Sequence, residues 1–358
     1  MPRHTIDEPK TPLEIFLEAH RIAFAPIMFQ AARLCRDLGV LSAAERAGRE
    51  GLTADDIARQ TNLSIYGVRV LTEAALSLNL LRLTDSERFV LSRVGRVFLN
   101  DQMVRVNTDF TQDVCYQGVF HLEEAIREGK PAGLKVFGDW PTIYEGLSQL
   151  PEKVQKSWFA FDHYYSDRAF PDALPRVFSR KPRRLLDVGG NTGKFAVACI
   201  KHDPDVRVTI LDLPGQLEKA RKNVEAAGVG ERVEGVPTDL LDAERPFPAG
   251  FDIVWMSQFL CCFSEEQVIS LLQRGASALA PGGALYVLDT YWDRQSNPVA
   301  AYCLHASSLY FTAMANGTSR MYHSRDMLRC LDAAGLRVVE ESDNLGAAHT
   351  LFVCEPKG

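Results

Sequence analysis

The sequence predicts an α/β protein in which a mostly parallel sheet, covered by helices on both faces and with its last strand reversed, follows an α-helical N-terminal module. Three observations carry that expectation. Apolar residues recur at helical spacing from Leu13 to about Asn100. From Arg183 onward, short strand-like runs alternate with helical stretches, the pattern of a parallel sheet. The final two runs are joined only by residues 343–348, too few for a helix, so those strands should lie antiparallel.

Taken in order, 358 residues exceed what one hydrophobic core organises, and the pattern divides them into a winged-helix-like module over 1–100, a helical connector over 101–180 and an α/β domain over 181–358. In the first part, Thr53 stands as an N-cap ahead of Asp55 and Asp56, and a second helix runs from Ser64 to Leu78 before a short hairpin at Leu80 to Leu91. Helix, turn, helix and wing suggest DNA binding. The second helix carries only Arg69 and Glu73, however, and the whole chain is at −6, so no nucleic acid or anionic membrane partner is expected. Val68, Leu71, Ala75 and Leu78 then serve packing, internally or against a second subunit.

The connector is rich in aromatics, among them Trp140, Tyr144, Trp158, Phe159, Tyr164 and Tyr165, which read as core with a share left for a pocket wall. Pro171, Pro175 and Pro182 punctuate the approach to the next domain. Strands are expected at Arg184–Val188, Arg207–Leu211, Arg232–Val236, Phe251–Met256, Ala284–Asp289, Leu336–Glu341 and Thr350–Cys354, with helices near 194–202, 216–227, 264–280 and 324–335. Eight cysteines without a C-x-x-C pair, a polar stretch from Met1 to Lys10 and no long apolar run point to a reduced, cytoplasmic protein with no metal site.

Chemistry concentrates in Leu185-Leu186-Asp187-Val188-Gly189-Gly190-Asn191-Thr192-Gly193, an apolar strand that ends in an acid and a glycine-rich turn opening a helix. Such a turn lets backbone approach a nucleotide-like ligand at the carboxyl end of the sheet. A Walker loop is excluded because Val188 stands five before Gly193 and Phe195 follows Lys194 where a hydroxyl is needed. A dinucleotide is disfavoured too, since Asp187 would repel a pyrophosphate, whereas it attracts an ammonium. A sulfonium nucleoside, S-adenosylmethionine (SAM), fits best. Asp212, 19 residues past Gly193, is placed for ribose hydroxyls, and Asp239 with Leu240 for adenine.

At these residues the chain resembles the plant-type small-molecule O-methyltransferase family, which includes caffeate and acetylserotonin O-methyltransferases. The resemblance spans nearly the whole length and rests on D-V-G-G-x-T-G at 187–193, D-L-P at 212–214, F-D-I-V at 251–254 and A-P-G-G at 280–283. It implies a Rossmann-like seven-stranded sheet with an antiparallel last strand, SAM contacts at Gly189, Asp212, Asp239 and Leu240 with Asp187, Gly193 and Leu213 in the same motifs, and an intertwined homodimer held by the winged-helix domain. The departure is at the catalytic position. Cys261 replaces the family's general-base His, Asp289 keeps one of the two bracing acids, Met321 replaces the other, and Ser257 stands where a cofactor-side Lys is common.

Methyl transfer to a small aromatic, phenolic acid-like acceptor is the leading expectation, O-methylation favoured, with the acceptor free or carrier-bound. The pocket is expected from residues 115–165, including His163 and Tyr165, together with Phe259 and the helix after Pro298. There His305, Ser308, Thr312 and Asn316 recur by three and four, forming either a polar pocket stripe or a solvated face. Cys261 is a replacement base or a neutral packing group, and His305, His163 and His323 are other proton acceptors. Two alternatives stand beside this: ring C-methylation of a hydroxybenzoyl-type head group, as in aryl-polyene pathways, and a non-catalytic SAM-binding regulator.

Overall fold

The computed structural model describes residues 10–346 and 348–358, so the polar stretch before residue 10 lies outside the described residues. The chain divides into two compact units, one ending at Thr111 and one beginning at Gln112.

In the first unit, helices Pro12–Ala23, Ala25–Asp37, Val40–Ala47, Ala54–Thr61 and Ile65–Ser77 precede a hairpin of β1 (Leu81–Leu83) and β2 (Phe89–Leu91), and helices Arg93–Asn100 and Gln102–Phe110 follow. Thr53 forms the expected cap: its hydroxyl accepts from the Asp56 N–H at 3.2 Å while the Asp56 carboxylate accepts from the Thr53 N–H at 3.1 Å. Leu41, Ile57, Val68 and Leu81 are fully or almost fully enclosed in its core. Helix Pro12–Ala23 has no buried residue at all, and Leu13, Phe16 and Ile22 are exposed along it.

The second unit holds a seven-stranded sheet of β3 (Arg184–Val188), β4 (Arg207–Asp212), β5 (Val233–Pro237), β6 (Phe251–Ser257), β7 (Leu279–Asp289), β8 (Leu336–Leu345) and β9 (His349–Pro356), in the order β5-β4-β3-β6-β7-β9-β8. Strands β5 to β7 pair in parallel, and β9 inserts antiparallel between β7 and β8, the reversal expected from the short connection. The order of neighbours changes direction at β3, whose carboxyl end therefore opens a crevice. Both faces are covered: Val254, Met256 and Phe352 pack into one core layer, and Ile210, Trp255 and Tyr286 into the other. Phe195 lies flat on Trp255, centroids 4.1 Å apart at 11°.

Three expectations need correction. Strand β7 begins at Leu279 rather than Ala284, because the A-P-G-G run is absorbed into an irregular start to its pairing with β6. Strand β8 runs to Leu345, beyond Glu341, through two register shifts against β9. Pro171 and Pro175 do not break the chain but lie inside helix Phe170–Phe178. Pro171 occupies the first turn, where no N–H is required; only Pro182 falls in the connection to β3.

Candidate active site

The turn after β3 is built by backbone conformations that ordinary residues avoid. Gly189 and Gly193 both sit at φ 73° and Asn191 at 49°, so the chain reverses sharply and enters helix Lys194–His202. At Gly189 there is a second constraint, since a Cβ would lie 2.3 Å from the ring of Phe259. A Cβ at Gly190 would meet the Asp187 carboxylate at 2.7 Å. The glycines therefore do two things: they make the turn, and they leave its inner surface as bare backbone.

Around that turn the acids gather at strand ends. Asp187 is 2% exposed, and its Oδ2 has no hydrogen-bond partner among the described residues. Burial, and then the charge of Asp212, push its carboxyl up to about 8. Asp212 ends β4 and is buried as well, which lifts its carboxyl to about 6. Hydrogen bonds from the N–H groups of Asn191 at 2.8 Å and Leu213 at 2.7 Å limit that rise. Asp239 is exposed after β5 and caps Leu241, whereas Leu240 is buried. Arg274 clamps this third loop by donating to the carbonyls of Leu240 at 2.5 Å and Asp242 at 3.0 Å, with its guanidinium on the ring of Phe247.

A cavity of about 70 Å³ opens beside the turn, lined by Asp187, Gly189, Asn191, Trp255 and Ser257 among others. Its wall holds buried polar atoms with no partner among the described residues: Asp187 Oδ2, Asn191 Oδ1, Thr192 Oγ1, Trp255 Nε1 and Ser257 Oγ. Such groups are costly unless a ligand satisfies them. The volume falls well short of the ~300 Å³ at which ordinary small-molecule pockets begin, so it suits the amino-acid end of a nucleoside cofactor rather than the whole. Four further residues of this wall were not singled out from sequence. Asp162, from helix Glu152–Ser166, accepts from the Asn191 amide at 2.9 Å; Lys194 binds Asp167 at 2.6 Å; and Gln258, at φ 45°, holds its side chain against the fully buried His349.

The region expected to face the acceptor is assembled differently. Cys261 lies in the turn Leu260–Cys262, buried, its N–H 3.3 Å from Asp289 Oδ2. A hydrogen bond with Cys262, then burial and the Asp289 charge, raise its thiol well above the ordinary value, so it is a neutral thiol near pH 7. Burial lifts Asp289 to about 7 despite bonds from Thr290 and Cys261. The stripe expected after Pro298 does not form. Helix Pro298–Tyr310 passes into a π-helical turn at Phe311–Ala315, which breaks the spacing by three and four.

Along that stretch the polar side chains serve the backbone. Ser308 and Thr312 donate to the carbonyls of Leu304 and Ser308, at 3.2 and 3.0 Å. Asn316 donates to the Cys262 carbonyl at 2.5 Å and accepts from the N–H groups of Thr318 and Ser319, tying the cysteine turn in place. His305 is exposed, its ring 5.0 Å from Trp292. His163 leans on Asp167, Nδ1 at 3.3 Å, and His323 caps the next helix by accepting from the Arg325 N–H. Tyr165 packs between the rings of Phe161 and Tyr164. Trp158 Nε1 donates to the Tyr310 hydroxyl at 2.7 Å in a buried aromatic cluster.

A family model described as an O-methyltransferase domain matches residues 120–337, and one described as a Dimerisation2-like domain matches residues 17–89. The chain belongs to the O-methyltransferase family. It is similar to an L-tyrosine C(3)-methyltransferase of Streptomyces lavendulae, 24% identical over 318 residues that cover 88% of this chain and 85% of the relative. A 3-amino-4-hydroxybenzoate 4-O-methyltransferase of Streptomyces cremeus is 26% identical over 73% of this chain and 69% of its own length. Among solved structures, the SAM-dependent methyltransferase SibL in its apo form superimposes with a TM-score of 0.70 at 27% identity, covering 94% of this chain and 98% of SibL. Some relatives align over less than half their own length, among them an aclacinomycin 10-hydroxylase of Streptomyces purpurascens.

This protein is therefore a SAM-dependent methyltransferase. The orphaned carboxylate of Asp187 and the bare glycine turn fit that cofactor, and Asp212 lies beside them, accepting from the Asn191 N–H. In the methyltransferase the structure brings Asp187, Gly189, Ser257 and His163 to one cavity, places Phe259 against Gly189, and joins Asn316 to the cysteine turn. Arg274, Asp162 and Gln258 escaped the sequence reading because their partners lie 34, 29 and 91 residues away.

Proposed function

We propose that this methyltransferase transfers the methyl group of SAM to a hydroxyl of a small phenolic acid-like acceptor, without the family's imidazole base. The observation that carries the reading is the buried, unpartnered Asp187 carboxylate beside an open glycine turn, with an aromatic cluster in the same unit. Asp187, Asn191 and Ser257 would hold the amino-acid end, Asp212 the ribose, and Leu240 with Asp239 the base. The bound cofactor supplies an already activated methyl group, so alignment is the main requirement on the protein. Tyr310 and Tyr144 are kept neutral by burial, which suits a dry aromatic wall. Cys261 acts as a neutral packing group, and Asp289 holds the turn by accepting the Cys261 N–H. A panel of phenolic acids incubated with methyl-labelled SAM tests this: labelled methoxy product supports it, and its absence across the panel despite SAM binding overturns it.

A second reading is methylation of a ring carbon ortho to the hydroxyl. It is favoured by the similarity to a tyrosine C(3)-methyltransferase over most of both chains. Product NMR separates an aryl methyl from a methoxy group directly.

The working unit in this proposal is a cytoplasmic homodimer formed through the N-terminal unit. The match to a Dimerisation2-like domain and the fully uncovered helix Pro12–Ala23 support it. Light scattering should give twice the chain mass, and a monomer at micromolar concentration contradicts it. No described helix is long and apolar enough to cross a membrane. The acceptor reaches the site either free or on a carrier, which activity on free acids distinguishes.

A further inference from the structure

Carboxyl groups from separate elements line the cofactor cavity. Asp187 reaches it from β3, and Asp162 from helix Glu152–Ser166. Asp212 lies close enough for its charge to act on Asp187, and Asp162 in turn acts on Asp212. The basic side chains beside Asp162 lie nearer to Asp167: Lys194 Nζ is 2.6 Å from it and His163 Nδ1 3.3 Å, against 4.0 Å from His163 to Asp162. Asp162 has a neutral donor instead, the Asn191 amide at 2.9 Å. Its other charged neighbour is Asp167, while Cys261 and Tyr310 on the acceptor side are neutral.

Two carboxylates facing one small cavity, one of them buried with an oxygen that has no partner, call for a cation between them. Resting on the reading of this site as a SAM site, we propose that Asp162 is a specificity-determining residue: together with Asp187 it reads the additional positive charge of the sulfonium donor and lets the thioether product leave. SAM carries a sulfonium and an ammonium against one carboxylate, whereas S-adenosylhomocysteine has lost the sulfonium charge. A carboxylate pair therefore attracts the donor more than the product, and exchange after turnover is favoured. Burial holds the Asp162 carboxyl above its ordinary range, against the opposing effect of Lys194 and of the bond from Asn191.

Calorimetry on the full chain tests this with three ligands: SAM, S-adenosylhomocysteine and sinefungin, in which an amine-bearing carbon replaces the sulfonium and retains a positive charge. Asp162→Asn keeps the shape and the bond from Asn191 but removes the charge. It should weaken SAM and sinefungin about tenfold and S-adenosylhomocysteine less than about threefold. Ser257→Ala, which removes an unpartnered hydroxyl of the same wall, should weaken all three alike and leave the donor-to-product ratio unchanged. Equal losses for all three ligands in Asp162→Asn, no loss at all, or a ratio shifted as much by Ser257→Ala would overturn the proposal. Failure of the unaltered chain to bind SAM or its product would instead refute the cofactor reading on which it rests.

Discussion

On the proposed cofactor side, the candidate groups sit at the ends of three successive strands, and each is placed by its own stretch of chain: Asp187 by β3, Asp212 by β4, Leu240 by the loop after β5. On the acceptor side nothing is placed so locally. The cysteine turn is held by Asn316 and Tyr322, 54 and 59 residues away, and the aromatic cluster by a bond between Trp158 and Tyr310 across 152 residues. The first region is a backbone device that tolerates little change. The second is a set of side-chain tethers between distant stretches of chain.

The comparison breaks most readily at Gly189. Replacing it with Ala imposes a left-handed residue and a Cβ 2.3 Å from the Phe259 ring. SAM affinity should fall by about 100-fold or more, with circular dichroism showing the fold retained. Affinity within a few-fold of the original would show that the turn does not set the site. A smaller effect is expected across the divide, where Asn316→Ala removes the tether to the Cys262 carbonyl. There kcat should drop about tenfold while the dissociation constant for SAM holds, since one hydrogen bond to a buried carbonyl is worth about 1–2 kcal/mol.

Stability against pH sharpens the contrast further. Asp187 and Asp289, lifted by burial to about 8 and about 7, are favoured in their protonated form by the fold, so they take up protons on folding. Their contribution is full at low pH and is lost as pH rises through those values. His349, lowered by burial to about 4, works in the opposite sense, but only below its unfolded value near pH ~6.5. Between about pH 6.5 and 8.5 the ligand-free melting temperature should therefore fall. Asp187→Asn should flatten that fall, by about 2–4 °C for each kcal/mol removed, and an unchanged slope would contradict the assignment.

The smallest effect belongs to Cys261→Ala. A buried neutral thiol that only packs should change kcat by less than about threefold, whereas loss of a general base costs about 100-fold or more.

The same difference explains what could be read before the structure. Strand β3, its glycine turn and the acids after β4 and β5 were legible because hydrophobic run, special φ and strand-end position are all local signals. The reversal of β9 was legible from the length of one loop. The polar stripe at 305–316 was misread because a single π-turn at Phe311–Ala315 shifts every later side chain, and no residue type announces such a turn. Asp162 and Arg274 carried no sequence signal; only their partners, Asn191 and the Leu240 carbonyl, bring them beside the strand-end loops. Gln258 gave no signal, since its backbone N–H is held by the Leu288 carbonyl and its side chain by His349 of β9, 91 residues on.

Whether the turn at Asp187 to Gly193 holds a phosphate-free sulfonium nucleoside is decided most directly by equilibrium dialysis with labelled SAM, challenged by ATP, NAD and S-adenosylhomocysteine. One SAM bound per chain, displaced by S-adenosylhomocysteine and untouched by millimolar ATP or NAD, is the expected result. Displacement by either phosphate-bearing nucleotide, or no retention of label by the folded protein, would contradict it.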